Sequence, residues 1–159
     1  MRIRPLKELE DLRYAKQQKK DITVKGDVAY TLKEVNGDAL ELELTVKAPF
    51  AKEFGLDVLC DKDGKNGLRI AIAGESKLLK VGKVEAPFEL QKGEDLVLRV
   101  FIDKNFVEVF ANDHKAAVAA ADRYVQEKTS VSLFSKGGDN VVPRVRSWKM
   151  KSIYPAGKE

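Results

Sequence analysis

A chain of 159 residues is enough for one ordinary domain, which at this size buries roughly 70% of its unfolded surface and needs no disulfide or metal staple. A hydrophobic content of 43% excludes global disorder, and a net charge of +4 from interspersed signs excludes a concentrated nucleic-acid-binding face. The single cysteine, Cys60, excludes an internal disulfide, and no apolar run approaches the ~20 residues that a membrane-spanning helix needs.

The opening "MRIRPLKELEDLR" contains no apolar core of a signal peptide. Leu6, Leu9 and Leu12 recur every three residues behind Pro5, which predicts a short amphipathic helix near residues 6 to 15. "KQQKK" at 16–20, followed by Asp21, reads as a solvated linker. The expected organisation is therefore a linker segment with a short helix over 1–20 and one β-module over 21–159.

From Asp21 onward the apolar pattern has period two. "ALELELTV" places Leu40, Leu42, Leu44 and Val46 on one face and Glu41, Glu43 and Thr45 on a wet one. "GLDVLC" and "LRIAIA" are short strands around the turn "DKDGKNG". That turn fails the EF-hand pattern, because Asn66 stands where the loop needs glycine and Ile72 where it needs glutamate. A hairpin turn with Gly64 and Gly67 at positive φ is expected instead. "PFEL" precedes the turn "QKGED". "LVLRVFID" and "FVEVFA" are the strongest strands in the chain. "SVSLFS" ends at "KGGDN", and "VPRVRSWKMKSIY" alternates to the end. Nine or ten short strands with turn punctuation and almost no helix predict an all-β protein, a two-sheet antiparallel β-sandwich of the jelly-roll or concanavalin-like kind.

The candidates for chemistry are few. Cys60 ends an apolar run and reads as buried. His114 is the only histidine and falls in a turn, so neither a zinc site nor a Ser/His/Asp arrangement can be assembled. Asp103 and Glu108 are the obvious carboxylate pair. With Lys104-Asn105 as a two-residue turn, Arg99 faces Phe110, Val100 faces Val109 and Phe101 faces Glu108. Leu98, Val100, Ile102, Val107 and Val109 then form the core face. Arg99, Phe101, Asp103, Phe106, Glu108 and Phe110 form the other. Glu108 falls diagonally between Arg99 and Asp103, which suits a cross-strand ion pair better than a general acid. Three phenylalanines on an outward face are more apolar surface than a monomer leaves bare. A cover is expected from the Leu6/Leu9/Leu12 helix, a neighbouring loop or another domain.

"LRVFIDKNFVEVFAND", residues 98–113, resembles the signature of the C-terminal β-sandwich module of glycoside hydrolase family 32, the invertases, levanases, inulinases and sucrose-6-phosphate hydrolases. The flanks resemble it as well: "RPLKELEDLR" the segment that joins the catalytic domain to the sandwich, "FGLDVLCD" an early strand, "SVSLFSKGG" and "VRSWKMKSIY" the closing strands. In the family, catalysis belongs to an upstream five-bladed propeller carrying W-M-N-D-P-N-G, R-D-P and E-C. None of these stands here: Asn112-Asp113 is followed by His114, and Cys60 follows Leu59. His114 also replaces the family's usual glycine.

The resemblance thus implies a non-catalytic module of a fructan- or sucrose-cleaving enzyme, with the propeller domain as its partner. The alternative is a fructan-type carbohydrate-binding module acting alone, with Arg99, Phe101, Asp103, Glu108 and Phe110 as the sugar-binding residues and a fructan oligosaccharide as ligand. No catalytic residue, metal, cofactor, nucleic-acid partner or membrane partner is expected on this chain.

Overall fold

A computed structural model describes residues 7–48, 52–113, 115–120 and 123–151. After a 3-10 helix, Lys7–Leu12, come twelve strands: β1 (Arg13–Val24), β2 (Tyr30–Asn36), β3 (Ala39–Val46), β4 (Glu53–Cys60), β5 (Leu68–Ala73), β6 (Leu78–Val81), β7 (Val84–Pro87), β8 (Leu96–Asp103), β9 (Phe106–Ala111), β10 (Lys115–Ala120), β11 (Ser130–Lys136) and β12 (Asn140–Met150). They form two six-stranded sheets, ordered β1-β12-β3-β8-β9-β10 and β2-β11-β4-β5-β6-β7. Every pairing is antiparallel. The expected two-sheet sandwich is the fold.

Period-two alternation explains the core. Leu40, Leu42, Leu44 and Val46 of β3 align with Ile102, Val100, Leu98 and Leu96 of β8, and all of them are buried. They join one apolar cluster with Phe54, Leu56, Ile70, Ile72, Leu79 and Leu133 of the second sheet. Each such side chain stabilises the fold by about 1.5–3 kcal/mol relative to exposure.

The β8–β9 hairpin has the expected register. Arg99 pairs with Phe110, Phe101 with Glu108 and Asp103 with Phe106, across a Lys104-Asn105 turn in which Lys104 takes φ 57°.

Two expectations for the amino-terminal segment are corrected. The helix is a 3-10 helix with no buried residue, and Leu6 lies outside the described residues. A three-residue leucine spacing is the period of a 3-10 helix, not of an α-helix. Residues 13–20, expected as linker, belong to β1. Arg13 pairs with Met150 and Lys20 with Arg144 of β12. Residues 14–21 are exposed on both faces, so backbone hydrogen bonds rather than burial hold this edge strand. Its lysines and the bulge between Tyr14 and Gln17, where Ala15 takes φ 49°, are features that disfavour edge-to-edge pairing.

The "DKDGKNG" turn differs in one residue. Gly64 has positive φ as expected, but Asn66 rather than Gly67 is the second left-handed residue. Gly67 is needed for space, since a Cβ there would meet the Val58 carbonyl oxygen at 2.4 Å. Phe88 and Leu90 of "PFEL" lie outside strand; β7 ends at Pro87, which sits on an outer strand where no ladder donor is required.

Candidate functional site

The expected site residues all sit on the outer face of the first sheet, and the sheet separates them into two groups. Arg99, Phe101 and Phe110 come together: the two rings meet edge to face at 6.0 Å and the Arg99 guanidinium lies 5.4 Å from the Phe101 centroid. Phe110 is buried and Phe101 half-buried. Asp103 and Glu108 remain exposed near the hairpin turn.

Glu108 makes no ion pair among the described residues, and the expected pairing with Arg99 is corrected. Arg99 donates to Glu41 of β3 at 2.5 Å. The hairpin alone cannot reveal this, because β8 has a second neighbour. β3 sets Glu41 opposite Phe101 and Glu43 opposite Arg99.

Glu41 is therefore the centre of the face. Read from alternation it belongs to a wet side, yet it is fully buried. Arg13 of β1 also grips it, one contact being 2.7 Å, and that pairing raises the Arg13 pKa. Trp148 of β12 lies opposite Glu41, with the Arg13 guanidinium 4.0 Å and that of Arg146 5.3 Å from its ring centroid. Arg146 and Arg144 both donate to Glu43, Arg144 at 3.3 Å.

Four strands thus supply a lattice of arginines, two glutamates and stacked rings. Such a lattice covers part of the face from within, and Phe110 is buried beside Arg99, its ladder partner, and the Phe101 ring. Phe106, at 60% exposed, is not covered, and the 3-10 helix contributes no buried residue to the face.

Sequence reasoning missed Arg13, Glu41, Glu43, Arg146 and Trp148 as members of this cluster. A signal exists: Glu41/Glu43 and Arg144/Arg146 are complementary charges at period two on strands with no charge elsewhere on that face.

At one end of the face lies an open depression of about 500 Å³, bordered by Glu43, Glu94, Arg99, Phe110, Asn112 and Arg144. Asn112 builds this corner. It takes φ 48°, a left-handed conformation that asparagine tolerates. Its side chain accepts from the Val97 amide at 2.6 Å and donates to Glu94 at 2.9 Å and to the Asp95 carbonyl at 3.0 Å. Only Arg99 and Phe110 of the five expected sugar-binding residues border the depression.

The arrangement favours structure over acid–base chemistry. Glu41 is buried against two guanidinium groups, and Asp103 and Glu108 face solvent rather than an enclosed site. Cys60 is fully buried, and burial above all pushes its thiol up to about 12, far from a reactive thiolate. Asp61 of the "DKDGKNG" turn accepts from the amides of Asp63 and Lys65, each at 3.0 Å, as a turn aspartate does. His114 lies outside the described residues. No helix among the described residues is long and apolar enough to cross a membrane.

Comparison with known proteins agrees with this geometry. The family model for the C-terminal part of glycosyl hydrolases family 32 matches residues 8–149. Sucrose-6-phosphate hydrolase of Escherichia coli is 30% identical over 92% of this chain and 31% of its own length. Levanase of Bacillus subtilis is 26% identical over 94% of this chain and 24% of its own. The chain thus spans a third or less of these relatives. Among solved structures, fructan 1-exohydrolase IIa of Cichorium intybus superposes with a TM-score of 0.74 at 14% identity, over 93% of this chain and 37% of that one. Exo-inulinase of Aspergillus awamori gives 0.71 at 14% identity, over 89% and 30%. At such identities the likeness is one of fold.

Proposed function

The chain belongs to the C-terminal module of glycosyl hydrolase family 32, and from that premise we propose that it is the non-catalytic sandwich of a fructan- or sucrose-cleaving enzyme, docked on a five-bladed propeller domain that carries the chemistry. One observation carries the reading. The family match fills residues 8–149 of this chain, while the same chain aligns with only 31% and 24% of the two relatives. The remaining length of those proteins leaves room for a separate catalytic domain.

The site supports the same division of labour. Glycoside hydrolysis needs an acid and a nucleophile or base flanking the bond. On the outer face Glu41 is sequestered by Arg13 and Arg99, and the exposed pair Asp103 and Glu108 has no enclosing pocket. The purified chain is expected to release no reducing sugar from sucrose, levan or inulin. Hydrolysis that persists through purification and disappears in Asp103→Asn or Glu108→Gln overturns the proposal.

A second reading rests on the depression beside Arg99 and Phe110. There a fructan oligosaccharide would meet the Arg99 guanidinium and neighbouring carboxylates, with Phe101, Asp103 and Glu108 further along the face. It is the weaker reading, because a sugar ring stacks on an open aromatic face and Phe110 is only 4% exposed.

A further inference from the structure

At one end of the sandwich the two sheets contribute turns to a second open cavity, of about 510 Å³. The β6–β7 turn brings Gly82 and Lys83, the β8–β9 turn brings Lys104 and Asn105, and the segment before β11 brings residues 123–125 and Lys128. Its charged lining is all of one sign: Arg69, Lys83, Lys104, Arg123 and Lys128, with no carboxylate among the described residues that line it. Between the cations the wall is apolar, from Leu59, Leu68, Val84, Ala119 and Val125.

These cations are not equally free. Arg69 is held by Asp57 through two hydrogen bonds, at 2.9 and 3.0 Å. Lys104 donates to Asp38 at 3.1 Å, and Lys128 to the Asn66 carbonyl at 2.8 Å. Lys83 and Arg123 are exposed and make no ion pair among the described residues. Among the described residues, Lys83 and Arg123 stand at the rim without an ion-pair partner, and Lys128 donates to a neutral carbonyl while interacting at longer range with Asp61.

Contacts within the chain support part of the cavity wall. Tyr124 donates to the Asp38 carboxylate at 2.5 Å, and Lys104 lies 5.6 Å from the Tyr124 ring centroid. These contacts tie the segment before β11 to the β8–β9 turn. Gly82, at φ 58°, keeps the opposite wall open, since a Cβ there would meet Leu68 at 2.8 Å.

We propose that this cavity is a binding site for a small phosphate-bearing ligand, its phosphate held by Lys83, Arg123 and Lys128 and its organic part resting on the apolar wall. A guanidinium and two ammonium groups supply more donors than a carboxylate has lone-pair positions to use, and they match the oxygens of a phosphate dianion. The site lies apart from the Glu41 face and does not depend on the docking role.

The test is an amide NMR titration of the intact chain with fructose 6-phosphate, inorganic phosphate and fructose. Saturable shifts are expected at Lys83, Asn105, Tyr124 and Lys128 with both phosphates and not with fructose. Tighter binding of the sugar phosphate assigns the apolar wall to its organic part; equal affinities assign the site to free phosphate. Lys83→Glu and Arg123→Glu change exposed side chains, so the rest of the spectrum should be preserved, and each should weaken binding about tenfold or more. Two results overturn the proposal. One is non-saturating shifts that include Lys16, Lys19 and Lys20 on the exposed edge strand. The other is an affinity indifferent to both charge reversals.

Discussion

Arg99 and Glu41 meet at 2.5 Å on the outer face of a sheet, 58 positions apart in sequence. The carboxylate is fully buried and is shared with Arg13, so removing it strands two guanidinium groups. Breaking a buried pair by deleting one partner costs about 3–5 kcal/mol. Glu41→Ala should lose that much in urea unfolding. Glu108→Ala, an exposed position with no ion pair among the described residues, should stay within about 0.5 kcal/mol of wild type. Equal losses in the two variants would contradict the assignment of Glu41 as the partner of Arg99.

Asn112→Ala should cost about 2–3 kcal/mol. The substitution deletes the acceptor for the Val97 amide and the donors to Glu94 and Asp95, and it places alanine at φ 48°. Asn112→Gly should recover part of the loss, because only the conformational share is relieved. Identical stabilities of the two variants would show that the left-handed backbone contributes nothing.

The stability of the fold should fall at both ends of the pH scale. Asp38 has its pKa lowered from 3.8, first by the hydrogen bond from Tyr124 and then by Lys104. That contribution is present above the unfolded value and is lost as pH drops below 3.8. Cys60 behaves oppositely. The unfolded thiol ionises near 9.0 while the buried one holds its proton to about 12, so stability is lost as pH rises through that window. The slope from this one group is at most about 1.4 kcal/mol per pH unit. The difference between wild type and Cys60→Ala should isolate it: the variant's curve should be flatter between pH 9 and 12, and parallel curves would contradict the burial argument.

Levan oligosaccharides titrated into the chain should leave the amides of Arg99 and Phe110 unmoved, in wild type and in Glu108→Ala alike. Shifts centred on those two residues, abolished by Glu108→Ala, would make the outer face a sugar site and favour the second reading.

How far the sequence disclosed this depended on what held each element in place. β3, β8 and β9 bury one face, so their alternation was legible, and the Lys104-Asn105 turn fixed the register of β8 against β9 but not of β3 against β8. β1 buries little along residues 14–21 and is held by its ladder to β12, so "KQQKK" carried no strand signal at all. β10 is alanine-rich, "KAAVAA", a composition with weak β preference, and it was passed over in the same way. The Glu41 cluster was hidden for another reason. It joins β1, β12, β3 and β8, which are neighbours only after the sheet forms. Local alternation could say that Glu41 left the core face, but not that arginines from two other strands would bury it.

The proposed role of this sandwich is to support a catalytic domain. The most direct measurement replaces the C-terminal module of the Escherichia coli sucrose-6-phosphate hydrolase with residues 1–159. Melting temperature and sucrose hydrolysis are then compared with the same enzyme truncated before that module. The chimera should melt well above the truncated enzyme and hydrolyse sucrose, while the isolated chain should not. A chimera no more stable and no more active than the truncated enzyme would contradict it.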